Sequence, residues 1–140
     1  MKFWDSSAVI PLCFKESESE VIQELVRADS DMVVWWTTQV ECVSALSRRL
    51  REGSIPSGAE LKAKAILSAL SSAWSEVQPT ELVRLRAERL LMVHPLRAAD
   101  AFQLAAALTW AQESPVGLDF VCLDQALRLA VAKEGFTALP

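Results

Sequence analysis

Trp35 and Trp36 stand side by side at the end of MVVWW (32–36), a segment whose β-branched and aromatic density marks a strand. Side chains alternate along a strand, so the two indoles point to opposite faces. That is tolerable only in a sheet covered on both sides, the sheet of parallel α/β proteins. The pair thus argues against a sheet with one wet face and requires helices on both sides.

Other segments supply them. Residues 2–4 are a short β-prone entry, and DSSAVIPLCF then reads as a turn and a brief helix limited by Pro11. Ser17 with Glu20 forms a capping box that opens a helix to Asp29, and Thr38 with Glu41 opens another to Gly53. Ser57 and Glu60 form a third box. From there Leu61, Ala65, Ile66, Ala69, Leu70, Ala73, Trp74 and Val77 recur at helical spacing, predicting one long helix that ends before Pro79. Thr80 opens a helix that ends near His94-Pro95. Residues 96–112 are alanine-rich, with Leu104, Ala107, Leu108 and Ala111 on one buried face. GLDFVCLD is a strand, DQALRLAVAKEG a helix closed by Gly135, and FTALP an edge strand. Strands followed by helices give an α/β sandwich around a mainly parallel sheet, with helix outweighing strand.

A chain of 140 residues, 51% of them hydrophobic, fits one domain over 1–140 with a buried core. The net charge of −4 excludes a protein that holds nucleic acid by bulk charge alone. It leaves open an enzyme that meets a polyanion through bound cations. Cys13, Cys42 and Cys122 are odd in number, far apart and form no CxxC, as expected of reduced core thiols in the cytoplasm. No apolar run reaches the roughly 18 residues of a membrane span. Asp5 interrupts the N-terminus where a signal peptide would be unbroken. The expectation is a soluble, intracellular protein.

Sites in such sheets gather at the carboxyl ends of strands. Asp5, Glu41, Asp100 and Asp124 all stand at or near a strand end or helix start, tens of residues apart. Brought together, each pair at about 4 Å would repel by about 4 kcal/mol at an effective dielectric near 20. Either their pKa values rise or a divalent cation joins them. Oxygen ligands without paired His or Cys suit Mg²⁺ or Mn²⁺, which polarise a phosphoryl oxygen and activate a water for in-line attack. Singly, each acid also has an ordinary structural reading. Asp5 and Asp124 can cap helices, Glu41 can pair with Thr38, and Asp100 can be a first-turn charge near Arg97. A helical wheel even turns Glu41 away from Val43, Leu46 and Leu50, beside Arg48. Asp100 instead leads the buried stripe of Leu104, Ala107 and Leu108, where a carboxylate needs a partner or a cation.

Four segments carry a family resemblance: DSSAVIPLCF, VVWWTTQVECVSAL, LRAADAFQLAAAL and DFVCLDQALRLAV. In this order, and over essentially the whole chain, they resemble the PIN domain of VapC-type toxins. The resemblance implies a three-layer α/β/α sandwich with a central, mainly parallel sheet and an Mg²⁺- or Mn²⁺-dependent ribonuclease. It carries the acidic cluster onto Asp5, Glu41, Asp100 and Asp124, with Asp5 and Asp100 as direct metal ligands. Glu41 and Asp124 would complete the shell, and Ser7 would be the hydroxyl that supports a carboxylate or water. It also implies an RNA substrate, a cognate VapB-like antitoxin that inserts a basic side chain among the acids, and a homodimer. One departure is Cys122, where the family often has Thr or Ser; a thiol is a poor donor for supporting Asp124.

Competing readings fail on particular residues. A haloacid dehalogenase-like phosphatase needs an aspartate at position 7, which is Ser7, and a receiver domain needs paired early acids and a late lysine. A non-cutting PIN-like module that binds RNA or protein would lack an acid, and all four are present; DNA remains an alternative substrate. His94, the sole histidine, precedes a proline at a helix end and reads as structural. Arg48, Arg49 and Arg51, with Arg84, Arg86, Arg89 and Arg97, could hold phosphates or simply cover solvated faces, and Arg48 and Arg97 are the substrate-contact candidates. Trp74 lies on the predicted stripe, as core or as the wall of a groove for a partner helix. Asp119 points opposite Asp124 and reads as a turn residue.

Overall fold

The computed structural model describes residues 1–56 and 58–140. Strand β1 (Lys2–Trp4) leads to α1 (Ser6–Cys13) and α2 (Ser19–Ala28), and β2 (Met32–Trp35) to α3 (Thr38–Arg51) and α4 (Ala59–Ala73). Then follow β3 (Ser75–Val77), α5 (Glu81–Val93), α6 (Ala98–Trp110), β4 (Asp119–Val121), α7 (Gln125–Glu134) and β5 (Thr137–Leu139). The strands form one sheet in the order β3-β2-β1-β4-β5, every pair parallel.

Alternation along the strands sorts the core into two compartments. Phe3, Val33, Trp35 and Phe120 face α5, α6 and α7, where Leu90, Leu104, Leu108 and Leu127 meet them. Trp4, Met32, Val34 and Val121 face the other way, against Val9, Ile22, Leu46 and Leu67 of α1 to α4. The result is the expected α/β/α sandwich. Both faces of β2 are covered, but by Val34 and Trp35 and not by the two tryptophans. β2 ends at Trp35, and Trp36 lies just beyond it, half-exposed, with its N–H donating to the Val77 carbonyl (3.2 Å).

Several expected boundaries move, each for a local reason. The helix expected to reach Pro79 stops at Ala73, because the backbone turns extended at Trp74 and Ser75–Val77 pairs with β2. Satisfying an otherwise open sheet edge outweighs the helical spacing of Trp74 and Val77. Trp74 is buried among α1, α3 and α4 residues and forms no partner groove. Pro11 lies inside α1 instead of limiting it; its ring removes one backbone donor without ending the helix. The Ser17–Glu20 box does not form: α2 begins at Ser19, whose buried hydroxyl accepts the Glu16 N–H (2.8 Å) and donates to the Pro11 carbonyl (2.8 Å). Thr37, not Thr38, occupies the N-cap of α3, and Thr38 is buried. The buried stripe of α3 is Thr38, Cys42, Ala45 and Leu46, while Val43 and Leu50 are exposed, so Glu41 borders the core. The Ser57 cap lies outside the described residues, and Glu60 pairs with Lys64.

Thr80 does cap α5, accepting the Val83 N–H (3.4 Å), and Gly135 closes α7 at φ +106°. A Cβ at Gly135 would lie 3.2 Å from Pro115 Cγ, whereas one at Gly53, also at positive φ, would meet nothing within 4 Å. Gly135→Ala is therefore expected to cost about 1–2 kcal/mol from left-handed strain, plus the displacement of Pro115. Gly53→Ala is expected to cost only the strain. Denaturant unfolding of both variants checks this, and equal losses would remove the Pro115 contact from the account.

Candidate active site

The chain builds β1, β2 and β3 outward in one direction and then returns to place β4 on the other side of β1. The strand order reverses there, and the crevice at the carboxyl ends of such neighbours is where parallel sheets present ligand sites. Two hydrogen bonds close this junction. The Asp5 N–H donates to the Val121 carbonyl (3.0 Å), and the Leu123 N–H donates to Ser7 Oγ (2.9 Å).

Asp5 leaves β1 and caps α1: its Oδ2 accepts the Ser7 N–H (3.0 Å) and the Ser7 hydroxyl. Ser7 thereby bonds the Asp5 carboxylate and also holds the segment before Asp124. Glu41, in the first turn of α3, accepts three donors. The Thr37 hydroxyl reaches Oε1 (2.6 Å), and the Ser6 hydroxyl (2.7 Å) and Gln103 Nε2 (3.1 Å) reach Oε2. Gln103 is buried on α6 and also donates to Thr38 Oγ1 (3.2 Å). Asp100 is half-buried one helical turn before Gln103, within reach of the Arg97 backbone N–H. Asp124 is exposed and caps α7, accepting the Leu127 N–H (2.9 Å).

Electrostatics link the four. Burial pushes the Asp5 carboxyl up to about 6, with Glu41 and Asp100 adding to the rise and the Ser7 hydrogen bonds opposing it. Asp100 is also raised, by burial first and then by Asp124 and Glu41, while the Arg97 N–H and guanidinium oppose. Asp100 thus lies in the field of both Glu41 and Asp124. Among the described residues, no three His, Cys, Asp or Glu side chains form a preformed metal-ligand group. Each carboxylate is turned instead to its own hydroxyl or N–H donors. The donor chemistry fits a hard divalent cation: Asp5 and Asp100 lie in the fields of neighbouring carboxylates, and burial keeps the nearby Cys42 and Cys122 thiols from ionising.

Other candidates take different places. Cys122 packs in the core between the sheet and α7, and burial pushes its thiol up. The hydroxyl at the β1–β4 junction is supplied by Ser7 instead. Asp119 opens β4, in register with Thr137, and is not among the groups that shift Asp5 or Asp100. His94 is buried with Nε2 2.6 Å from Glu134, tying α5 to α7, a structural position as expected. Arg86 bonds Thr109 (2.7 Å) and pairs with Glu113, Arg89 pairs with Glu134, and Arg49 pairs with Glu16. These three are structural. Arg97 is exposed at the N-cap of α6, and Arg48 is exposed in the last turn of α3. The cysteines are buried and unpaired. Among the described residues, no helix is long and apolar enough to cross a membrane.

Sequence reasoning missed Ser6, Thr37 and Gln103 as partners of Glu41. Thr37 stands four residues before Glu41, so helical spacing alone could have nominated it.

The fold is similar to the crystal structure of PAE2754 from Pyrobaculum aerophilum, with 20% identity and a TM-score of 0.64. That match covers 98% of this chain and 89% of that one. It is also similar to the crystal structure of FitAcB from Neisseria gonorrhoeae, with 15% identity and a TM-score of 0.61, over 100% of this chain and 97% of that one. The likeness is one of fold. No protein-family model and no curated protein matches the sequence.

The raised Asp5 fixes a sign. A folded pKa of about 6 against 3.8 unfolded means that the folded chain binds this proton more tightly. Ionised Asp5 therefore weakens the fold at neutral pH, and the penalty fades as pH falls from 7 toward 4. In chelator, Asp5→Asn keeps the cap and is expected to gain on the order of 2 kcal/mol at pH 7 and almost nothing at pH 4. Denaturant unfolding across that range measures it; a difference independent of pH would contradict the buried, repelled carboxylate.

Proposed function

We propose that the protein is a metal-dependent endoribonuclease and the toxin of a toxin–antitoxin pair. The observation that supports the reading is that Asp5 lies in the field of Glu41 and Asp100, and Asp100 in that of Asp124 and Glu41, near the point where the sheet reverses its strand order. The likeness in fold to PAE2754 and FitAcB agrees with the resemblance to VapC-type PIN domains.

Asp5 and Asp100 would hold Mg²⁺ or Mn²⁺, with Glu41 and Asp124 completing the oxygen set. When bound, such an ion neutralises phosphate charge and makes a water acidic enough to attack phosphorus. The chain's own part is to fix these oxygens. Ser7 holds Asp5, while Ser6, Thr37 and Gln103 hold Glu41, and the Leu127 N–H holds Asp124. Glu41 and Asp124 orient the attacking water. As the resemblance implies, the bond to the 3′ oxygen breaks and leaves 5′-phosphate and 3′-hydroxyl ends. Arg97 and Arg48 contact the RNA phosphates on either side. A VapB-like antitoxin is the partner, the toxin is a homodimer, and both act in the cytoplasm.

Cleavage of a mixed cellular RNA pool tests this, with Mg²⁺ or Mn²⁺ and with chelator. Discrete cation-dependent cuts are expected for the wild type. Asp100→Asn should lose at least about a hundredfold, beyond the ten- to hundredfold that follows loss of an outer hydrogen bond. Gln103→Leu, which removes one donor from Glu41, should fall within that smaller range. No cleavage by folded, partner-free wild type would leave a PIN-like binding module in place of the nuclease.

A further inference from the structure

A groove of about 450 Å³ opens beside Glu41, at the carboxyl ends of β2 and β3. Its volume falls in the roughly 300–1,000 Å³ range of sites that enclose a small organic group. Its walls include Trp36, Phe102, Pro79, Thr80, Arg84 and Glu41 itself. Trp36 is 50% exposed although it directly follows a buried strand. Its backbone is nonetheless fixed, because its N–H donates to the Val77 carbonyl (3.2 Å). Behind it, Trp35 and Phe102 stack with ring centroids 5.7 Å apart and planes 3° from parallel. A large indole is thus offered to solvent on a rigid base, continuous with one of the four carboxylates.

We infer that this groove is a nucleobase subsite, in which Trp36 stacks one base of the RNA next to the phosphate to be cut. The inference rests on the nuclease reading and adds where the strand lies. A nucleotide combines a flat aromatic face with an anionic phosphate, and the groove sets an indole near the Arg84 guanidinium, with the Glu41 and Glu81 carboxylates also in its walls. Among the described residues Arg84 pairs only with Glu81 (3.0 Å), and both side chains are 65% exposed, so that pair holds the guanidinium weakly. The guanidinium can turn to a phosphate one residue away, where a charge-assisted contact is stronger. Base–indole stacking tolerates sequence, since every base has a π-face. The subsite would therefore set the position of the strand more than the identity of the base.

The test measures binding, apart from cleavage. Asp5→Asn/Asp100→Asn removes two negative charges and the cutting together, so RNA can be offered in chelator. On that parent, Trp36→Ala and Trp36→Phe are titrated against fluorescent ten-nucleotide oligoadenylate and oligouridylate, with the mass of each protein followed by sedimentation. Trp36→Ala is expected to weaken binding of both RNAs by roughly 5- to 150-fold, the effect of losing one stacked base. Trp36→Phe is expected to keep most of it, with the mass unchanged throughout. Equal binding by parent and Trp36→Ala overturns the subsite and leaves the nuclease reading standing. A parent that binds neither RNA overturns the subsite, while the nuclease reading stands or falls on cleavage by the wild type with its cation. Weakening that accompanies a fall from dimer to monomer would make the groove a contact between copies, and overturns the subsite as well.

Discussion

The junction between β1 and β4 is the constraint on which the site depends. β1 is the central strand, buried on both faces by Phe3 and Trp4, so its direction is fixed by both cores at once. β4 lies beside it only because the chain reverses its order of building the sheet. Where the two strands end, neither can continue pairing, and the backbone groups left there find partners in the Asp5 and Ser7 region. Ser7 is the hinge of this arrangement: one hydroxyl accepts from the backbone before Asp124 and donates to Asp5. The same atoms that finish the sheet therefore tie Asp5 to the segment before Asp124.

Gathering carboxylates has an energetic cost that the hydrophobic layers must outweigh. The fold limits it by giving each acid a local donor set, and it leaves the remainder as the raised pKa values of Asp5 and Asp100. Glu41 shows the principle most clearly, with hydroxyls from two neighbouring segments and an amide from α6 converging on it. On the proposed reading a hard divalent ion would relieve this tension, being the ion that carboxylate oxygens suit. The groove along Trp36 opens at the same end of the sheet, beside Glu41.

Much of the architecture can be read along the chain, and the failures are instructive. MVVWW and DFVCL are apolar and β-branched or aromatic, so β2 and β4 announce themselves. The segment Ser75–Val77 is polar, three residues long and in phase with a helix; only the need of β2 for a neighbour makes it a strand. The α3 stripe was misplaced because Val43 and Leu50 are as apolar as the residues that are buried, and burial there is decided by α1 and α4. The four acids were visible as residues at strand ends and helix starts. Their partners were not, because Ser6 and Gln103 reach Glu41 across 35 and 62 residues of chain. No local pattern records such a meeting.

The central claim is that these four carboxylates form one cation-binding centre. Thermal unfolding of the wild type and Asp100→Asn, at neutral pH with rising Mg²⁺ or Mn²⁺, tests it without any assumption about substrate. A ligand that binds only the folded chain stabilises it by about 2.7 kcal/mol at a hundred times its Kd. The account predicts a midpoint that climbs with the ion for the wild type and stays nearly flat for Asp100→Asn. A wild type that ignores both ions, or a variant that climbs equally, would contradict it.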